Sequence, residues 1–201
     1  LSDADRSLRS YLSMNLALAA DRTYLAHVST DGPEAPKFLG EPPATAMFWS
    51  DSESYFVQRP SDEPQSFTEF EPPDGYAGTW QYWARTIPFG GMHDSRPEVY
   101  FRTVFEAIPT RLVERQSTDG TSRYRIADDG TQPRSASELG DPGLSDVRDV
   151  RLDAVVDRHS VIRSFELQFV AEANGDRIEH RRTLDYSALG ETEVERPESV
   201  D

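Results

Sequence analysis

The stretch Val161–Leu189, VIRSFELQFVAEANGDRIEHRRTLDYSAL, decides the architecture. Behind Arg163, the residues Phe165, Leu167, Phe169, Ala171 and Ala173 fall on one face, and Ser164, Glu166, Gln168 and Glu172 on the other. Such alternation marks an antiparallel strand with one wet side. Asn174-Gly175-Asp176 supplies a turn, and Arg177–Leu189 reads as the returning strand. Upstream, Arg148–Val156 connects to Val161–Ala173 through Asp157-Arg158-His159-Ser160. A C-terminal β-meander over about residues 147–190 is therefore expected. Before it, Arg111–Ser117 and Ser122–Ala127 flank Asp119-Gly120, a strong hairpin signal.

Further toward the N-terminus the pattern is mixed. Leu8, Tyr11, Leu12, Leu16 and Ala19 recur at spacings of three and four behind a Ser2 cap, which predicts an N-terminal helix over about residues 2–20. Thr23–Ser29 changes to period two, and Pro33, Pro36, Pro42 and Pro43 make a loop. Thr45–Ser50 and Ser54–Arg59 read as a hairpin, and Gln65–Phe70 as a short strand. Tyr76–Arg85 turns helical and is stopped by Pro88, Gly90 and Gly91; Glu98–Ile108, between Pro97 and Pro109, is a second helix. These two make a lid region over about residues 74–108. Ser135–Leu139 is expected to form one helical turn. The order of helix, strands, two helices and strands predicts one α+β domain over residues 1–201, with an antiparallel sheet curling over the helices.

Composition speaks to habitat. Lys+Arg is 21 against Asp+Glu 36, a formal charge of −15, and lysine occurs once, at Lys37. Such a balance argues against a nucleic-acid partner, whose phosphates need a basic patch, and against an anionic membrane surface. Uncompensated carboxylates repel one another at low salt, and at molar salt the Debye length falls to about 3 Å. Near-absence of lysine beside abundant arginine therefore points to a salt-adapted source. Cysteine is absent, which removes disulfides, thiolate metal sites and cysteine nucleophiles. The chain opens at Leu1, which reads as a processed product.

Tyr76-Ala77-Gly78-Thr79-Trp80-Gln81-Tyr82-Trp83, followed by Pro88-Phe89-Gly90-Gly91, resembles the central motif of a haloarchaeal secreted lipoprotein family of unknown function. Thr192-Glu193-Val194-Glu195-Arg196-Pro197 resembles its C-terminal signature, Leu152–Phe169 its last long hairpin, and Asp21–Val28 its first helix-to-strand junction. The resemblance implies a LolA/LppX-like fold: a strongly curved antiparallel sheet, an open half-barrel, packed against two or three helices. It also implies cell-surface placement through a lipidated N-terminal segment. The chain departs there, because it has no cysteine to carry the lipid. A hydrophobic small molecule or lipid is the implied ligand, and another envelope protein the alternative partner.

Candidate sites follow from both readings. Trp49, Tyr76, Trp80, Trp83, Phe101 and Phe105 would line a cleft in a half-barrel too wide to fill itself, with Gly90-Gly91 letting the helices move as a lid. The same aromatics at helical spacing suit a packed core. His180 and Arg182 alternate with Ile178, Leu184 and Tyr186. Facing a cavity, Arg182 would hold an anionic head group; at a sheet edge it reaches water. His27, His93, His159 and His180 lack metal-ligand spacing, and His27 suits a structural hydrogen bond. No nucleophile elbow, phosphate loop or calcium loop occurs. A non-enzymatic protein without cofactor, metal or catalytic residues is expected.

Dilution from molar to about 0.1 M salt lengthens the Debye screening distance toward 10 Å. The melting temperature, followed by circular dichroism across that range, is expected to fall strongly; a salt-insensitive melt would contradict the salt-adapted reading.

Overall fold

A computed structural model describes residues 9–51, 53–60, 66–69, 97–118, 121–133, 135–139 and 143–200. The chain divides into two compact units, one comprising Leu1–Trp83 with Ala188–Asp201 and the other Ala84–Ser187.

The first unit carries β1 (Tyr11–Leu18), β2 (Tyr24–Asp31), β3 (Ala44–Ser50), β4 (Tyr55–Gln58) and β5 (Thr68–Glu69). They form a five-stranded antiparallel sheet in sequence order. Within the expected N-terminal helix, Tyr11–Leu18 is a strand, and no described residue there is helical. Every residue of β1 has a partner in β2, with Leu12 opposite Thr30, Met14 opposite Val28 and Leu16 opposite Ala26. Leu12, Met14, Leu16 and Leu18 also satisfy a period of two, so the pattern was ambiguous. The ladder with β2 supplies the backbone partners that settle it. Gly32 closes the turn after β2 with φ +90°, and a Cβ there would stand 2.6 Å from the Arg9 carbonyl oxygen. Glycine is needed at that close approach.

The second unit carries one α-helix among the described residues, α1 (Pro97–Ala107), followed by β6 (Thr110–Thr118), β7 (Thr121–Asp128), a short 3₁₀ turn (Ala136–Leu139), β8 (Ser145–Asp157), β9 (Ile162–Ala173) and β10 (Asp176–Asp185). The strands make a second antiparallel meander, in order β10-β9-β8-β7-β6. α1 buries Tyr100, Phe101 and Val104, with Ile108 just beyond it, at the spacing of one helical face. Against them stand Val150, Leu152, Ala154, Phe165, Leu167, Phe169 and Ala171 from β8 and β9. Phe165 is the hub: its ring centroid lies 5.2 Å from Phe101, 6.2 Å from Tyr100 and 6.3 Å from Phe105, each nearly edge-on. Edge-to-face contacts add to the area that burial removes from water.

The first half of β8 departs from a regular ladder, with register shifts between Ser145 and Arg151 and positive φ at Asp146 and Asp149. Side chains help to replace the lost ladder bonds. Val150 N donates to Gln132 Oε1 at 2.7 Å, and Leu152 N donates to Asp128 Oδ2 at 3.0 Å. Buried backbone donors are thus satisfied where the strand bulges.

This architecture corrects the α+β expectation. The described part of the protein is mostly β, with 54% of its residues in strands and 7% helical, arranged as two antiparallel sheets without a closed barrel among the described residues. A LolA/LppX-like curved half-barrel on two or three helices does not describe it. Apolar alternation predicts a one-sided sheet, and two short sheets satisfy that pattern as well as one long curved sheet. The expected lid helix over Tyr76–Arg85 and the Gly90-Gly91 link lie outside the described residues.

Phe165→Ala removes the ring on which three aromatic contacts converge. It is expected to cost about 3–5 kcal/mol, read from the denaturant midpoint in molar salt. Arg125→Ala, on the opposite face of the same sheet, should leave that midpoint nearly unchanged.

Candidate functional site

The first sheet has two unlike faces. On one, Tyr24, Ala26, Val28, Ala46, Phe48, Tyr55 and Val57 are buried. The Phe48 and Tyr55 rings stack there at 5.9 Å. Opposite-face residues fall into cross-strand rows fixed by register. The row Leu25–Trp49–Phe56 is covered by the C-terminal segment, whose Val194 and Val200 pack against it. The Arg196 guanidinium lies 5.6 Å from the Trp49 ring centroid, and its Nε donates to the Val200 carbonyl at 3.2 Å. Phe67 N donates to the Ser199 carbonyl at 3.4 Å, tying that segment back to the chain before β5.

Beyond the covered row the same face is open. Asn15, His27, Met47 and Gln58 stand side by side across β1 to β4. Ser13, Ser29 and Thr45 form the next row across β1 to β3. With Arg59 and Pro60 at the rim they bound a cleft of about 380 Å³. Asn15, His27 and Thr45 are exposed, and Ser13, Ser29, Met47 and Gln58 half-buried. None of the residues bounding the cleft is acidic.

The structure distributes the sequence-derived candidates differently. Trp49 is 2% exposed, under the C-terminal segment, and its indole N–H has no hydrogen-bond partner. Phe101 is buried and Phe105 partly buried, both in the core between α1 and the second sheet. Neither is among the residues bounding the cleft of the first sheet. Tyr76, Trp80 and Trp83 lie outside the described residues. Arg182 is half-buried on β10; its Nε donates to His180 Nε2 at 2.9 Å and its Nη1 to the Tyr100 hydroxyl at 3.0 Å. The His180 ring in turn stacks on Phe169, 4.7 Å away and 3° from parallel. Arg182 thereby ties an edge strand to α1, a structural use of the cation. His27, expected to make a structural bond, instead presents an exposed imidazole to the open cleft.

Sequence reasoning missed Ser13, Asn15, Ser29, Thr45 and Gln58. Polar residues at alternate positions are ordinary on any wet face. Their significance comes from register, which stacks them into rows. Among the described residues no three His, Asp or Glu side chains come together as metal ligands.

The most strongly held carboxylate is that of Asp157, buried at the β8–β9 turn. Burial pushes its acid up, but the Val161 amide, the Arg163 guanidinium and the His159 amide overcome this and bring the pKa down to about 2. Oδ1 accepts from His159 N at 2.8 Å and Val161 N at 3.1 Å, and Oδ2 from Arg163 Nε at 2.9 Å and Arg163 Nη2 at 2.6 Å. All four lone-pair directions have work within the turn, so this acid pins the hairpin rather than exchanging protons.

The chain matches no family model, no curated protein and no solved structure.

Because the folded-state pKa of Asp157 is depressed, its contribution to stability is present above the ordinary value near 4 and lost as pH falls toward about 2. Denaturant midpoints of the wild type and Asp157→Asn should therefore differ clearly at neutral pH and converge through that window.

Proposed function

We propose that this protein is a non-enzymatic cell-surface interaction module of a salt-adapted organism, with its interior filled by its own side chains. The observation that carries this is the fate of the described aromatics. Trp49 is buried beneath the C-terminal segment, and Phe101 and Phe105 pack around Phe165. Side chains committed to closing a core are not available to solvate an apolar cargo. The lipid-carrier reading drew its support from a half-barrel that the two-sheet fold replaces. A surface with a net charge of −15 keeps such a module soluble in brine. The family resemblance supports the cell-surface setting, with attachment through a lipidated segment, and another envelope protein as the docking partner.

Native mass spectrometry of the chain after incubation with a polar-lipid extract in molar ammonium acetate tests the reading. The expected spectrum shows the bare protein mass. A stoichiometric lipid adduct that survives desolvation would restore the carrier.

A further inference from the structure

The open half of the first sheet is built differently from the outward face of the second. On the second sheet, outward side chains pair with one another: Arg125 with Asp153 at 2.8 Å, Arg181 with Glu166 at 3.2 Å, and Gln168 with Glu166. In the cleft of the first sheet six polar side chains do not. Ser13, Asn15, His27, Ser29, Thr45 and Gln58 spend no side-chain donor or acceptor on another protein group. They stand on a rigid lattice, with neighbouring strands about 4.8 Å apart and successive rows about 6.7 Å apart. The result is a fixed grid of hydrogen-bonding groups whose capacity is left for something outside the chain.

The chemistry of the grid selects its ligand. It holds hydroxyls that both donate and accept, two carboxamides that present a donor and an acceptor side by side, and an imidazole. A chain with 36 acidic residues places none of them among the residues bounding the cleft, so no cation is called for, and the one arginine at its rim, Arg59, already interacts with another group of the protein. Polyanions are repelled by the net charge of −15. An apolar chain would leave every one of these polar groups without a partner. Vicinal hydroxyls on a ring match the carboxamides of Asn15 and Gln58, and the thioether of Met47 between them offers an apolar, polarizable contact for the C–H face of that ring. The volume of about 380 Å³ is that of a small-ligand cleft, within the range of about 300–1,000 Å³.

We propose that the cleft over β1–β4 is a binding site for a neutral polyhydroxylated ligand, a free sugar or the exposed end of a glycan chain. Hydrogen bonding between uncharged groups is indifferent to screening, so this recognition persists in molar salt, where charge pairing fades. The site is independent of the interaction reading, since it would stand equally on a chain that carried a hydrophobic cargo.

The test is methyl NMR of the full chain labelled with ¹³C-methyl methionine in molar KCl. Three methionines occur. Met47 lies between the carboxamides, while Met14 points to the opposite face of the same sheet and serves as internal control. Methyl mannoside, maltotriose and cellotriose are the probes, with glycerol as a polyol lacking a ring. The expected result is a saturable shift of the Met47 methyl with at least one saccharide and a stationary Met14. Binding by the monosaccharide points to a free sugar, and a requirement for a trisaccharide points to a glycan chain. Asn15→Ala and Gln58→Ala, with their Met14 signals unchanged as proof of folding, should each weaken binding about three- to tenfold, the loss of one net hydrogen bond. A Met47 methyl that no saccharide moves, that glycerol moves equally, or whose response survives both substitutions undiminished would overturn the assignment. A lipid adduct with a responsive Met47 would sink the interaction reading alone.

Discussion

With 36% of its residues hydrophobic, the chain can dry few surfaces, and that scarcity governs the architecture of each unit. A sheet must bury at least one face to be stable. In the second unit α1 supplies the cover, and the aromatic cluster around Phe165 compensates in area for what the composition lacks in number. In the first unit the Tyr24, Phe48 and Tyr55 rings fill one face, and a segment from the end of the chain covers part of the other. Each sheet keeps an outward surface that the protein does not cover, and function has to be sought there.

The parts of the fold legible in the sequence are those set by local chemistry. β9 and β10 were announced by strict alternation and by Asn174-Gly175, and both residues adopt the positive φ that such a turn uses. Pro97 and Pro109 bracket α1 within a residue or two of the expected ends. What remained illegible depends on partners distant along the chain. Leu12 and Leu16 fit both a helical stripe and a strand, and only the ladder to β2 separates the two. The cleft of the first sheet was illegible for the same reason. Trp49 reads equally as cleft lining or as core until Val194, Arg196 and Val200 are seen to close over it, and the polar rows exist only once four strands fall into register. One-sided alternation likewise says which face is apolar without saying how many sheets share the pattern.

Electrostatics divides the two outward faces. On the second sheet Arg125 pairs with Asp153 and Arg181 with Glu166 across neighbouring strands; exposed pairs of this kind contribute little to stability individually. Their arrangement instead lowers the repulsion that so acidic a chain would otherwise build up. Asp157 is the exception, since its charge is desolvated and fully engaged by Arg163 and two backbone amides. The first sheet takes the opposite course and dispenses with carboxylates over its cleft. Hydrogen bonding to hydroxyls and carboxamides in a strongly charged molecule depends little on ionic strength.

The boundary between the covered and open halves of the first sheet is itself informative. Trp49 and Met47 lie two residues apart on one face of β3, so the two rows to which they belong are about 6.7 Å apart. The C-terminal segment covers the Trp49 row, at the expense of leaving the indole N–H buried without a partner, a penalty of about 1–3 kcal/mol. Drying the Trp49 and Phe56 rings and seating Arg196 over the indole offset that loss. The next row offers no such return. Asn15, His27 and Gln58 would each lose water without gaining a bond from an apolar cover, and Met47 alone does not repay them. The edge of the clasp therefore falls where the sheet changes from aromatic to amide.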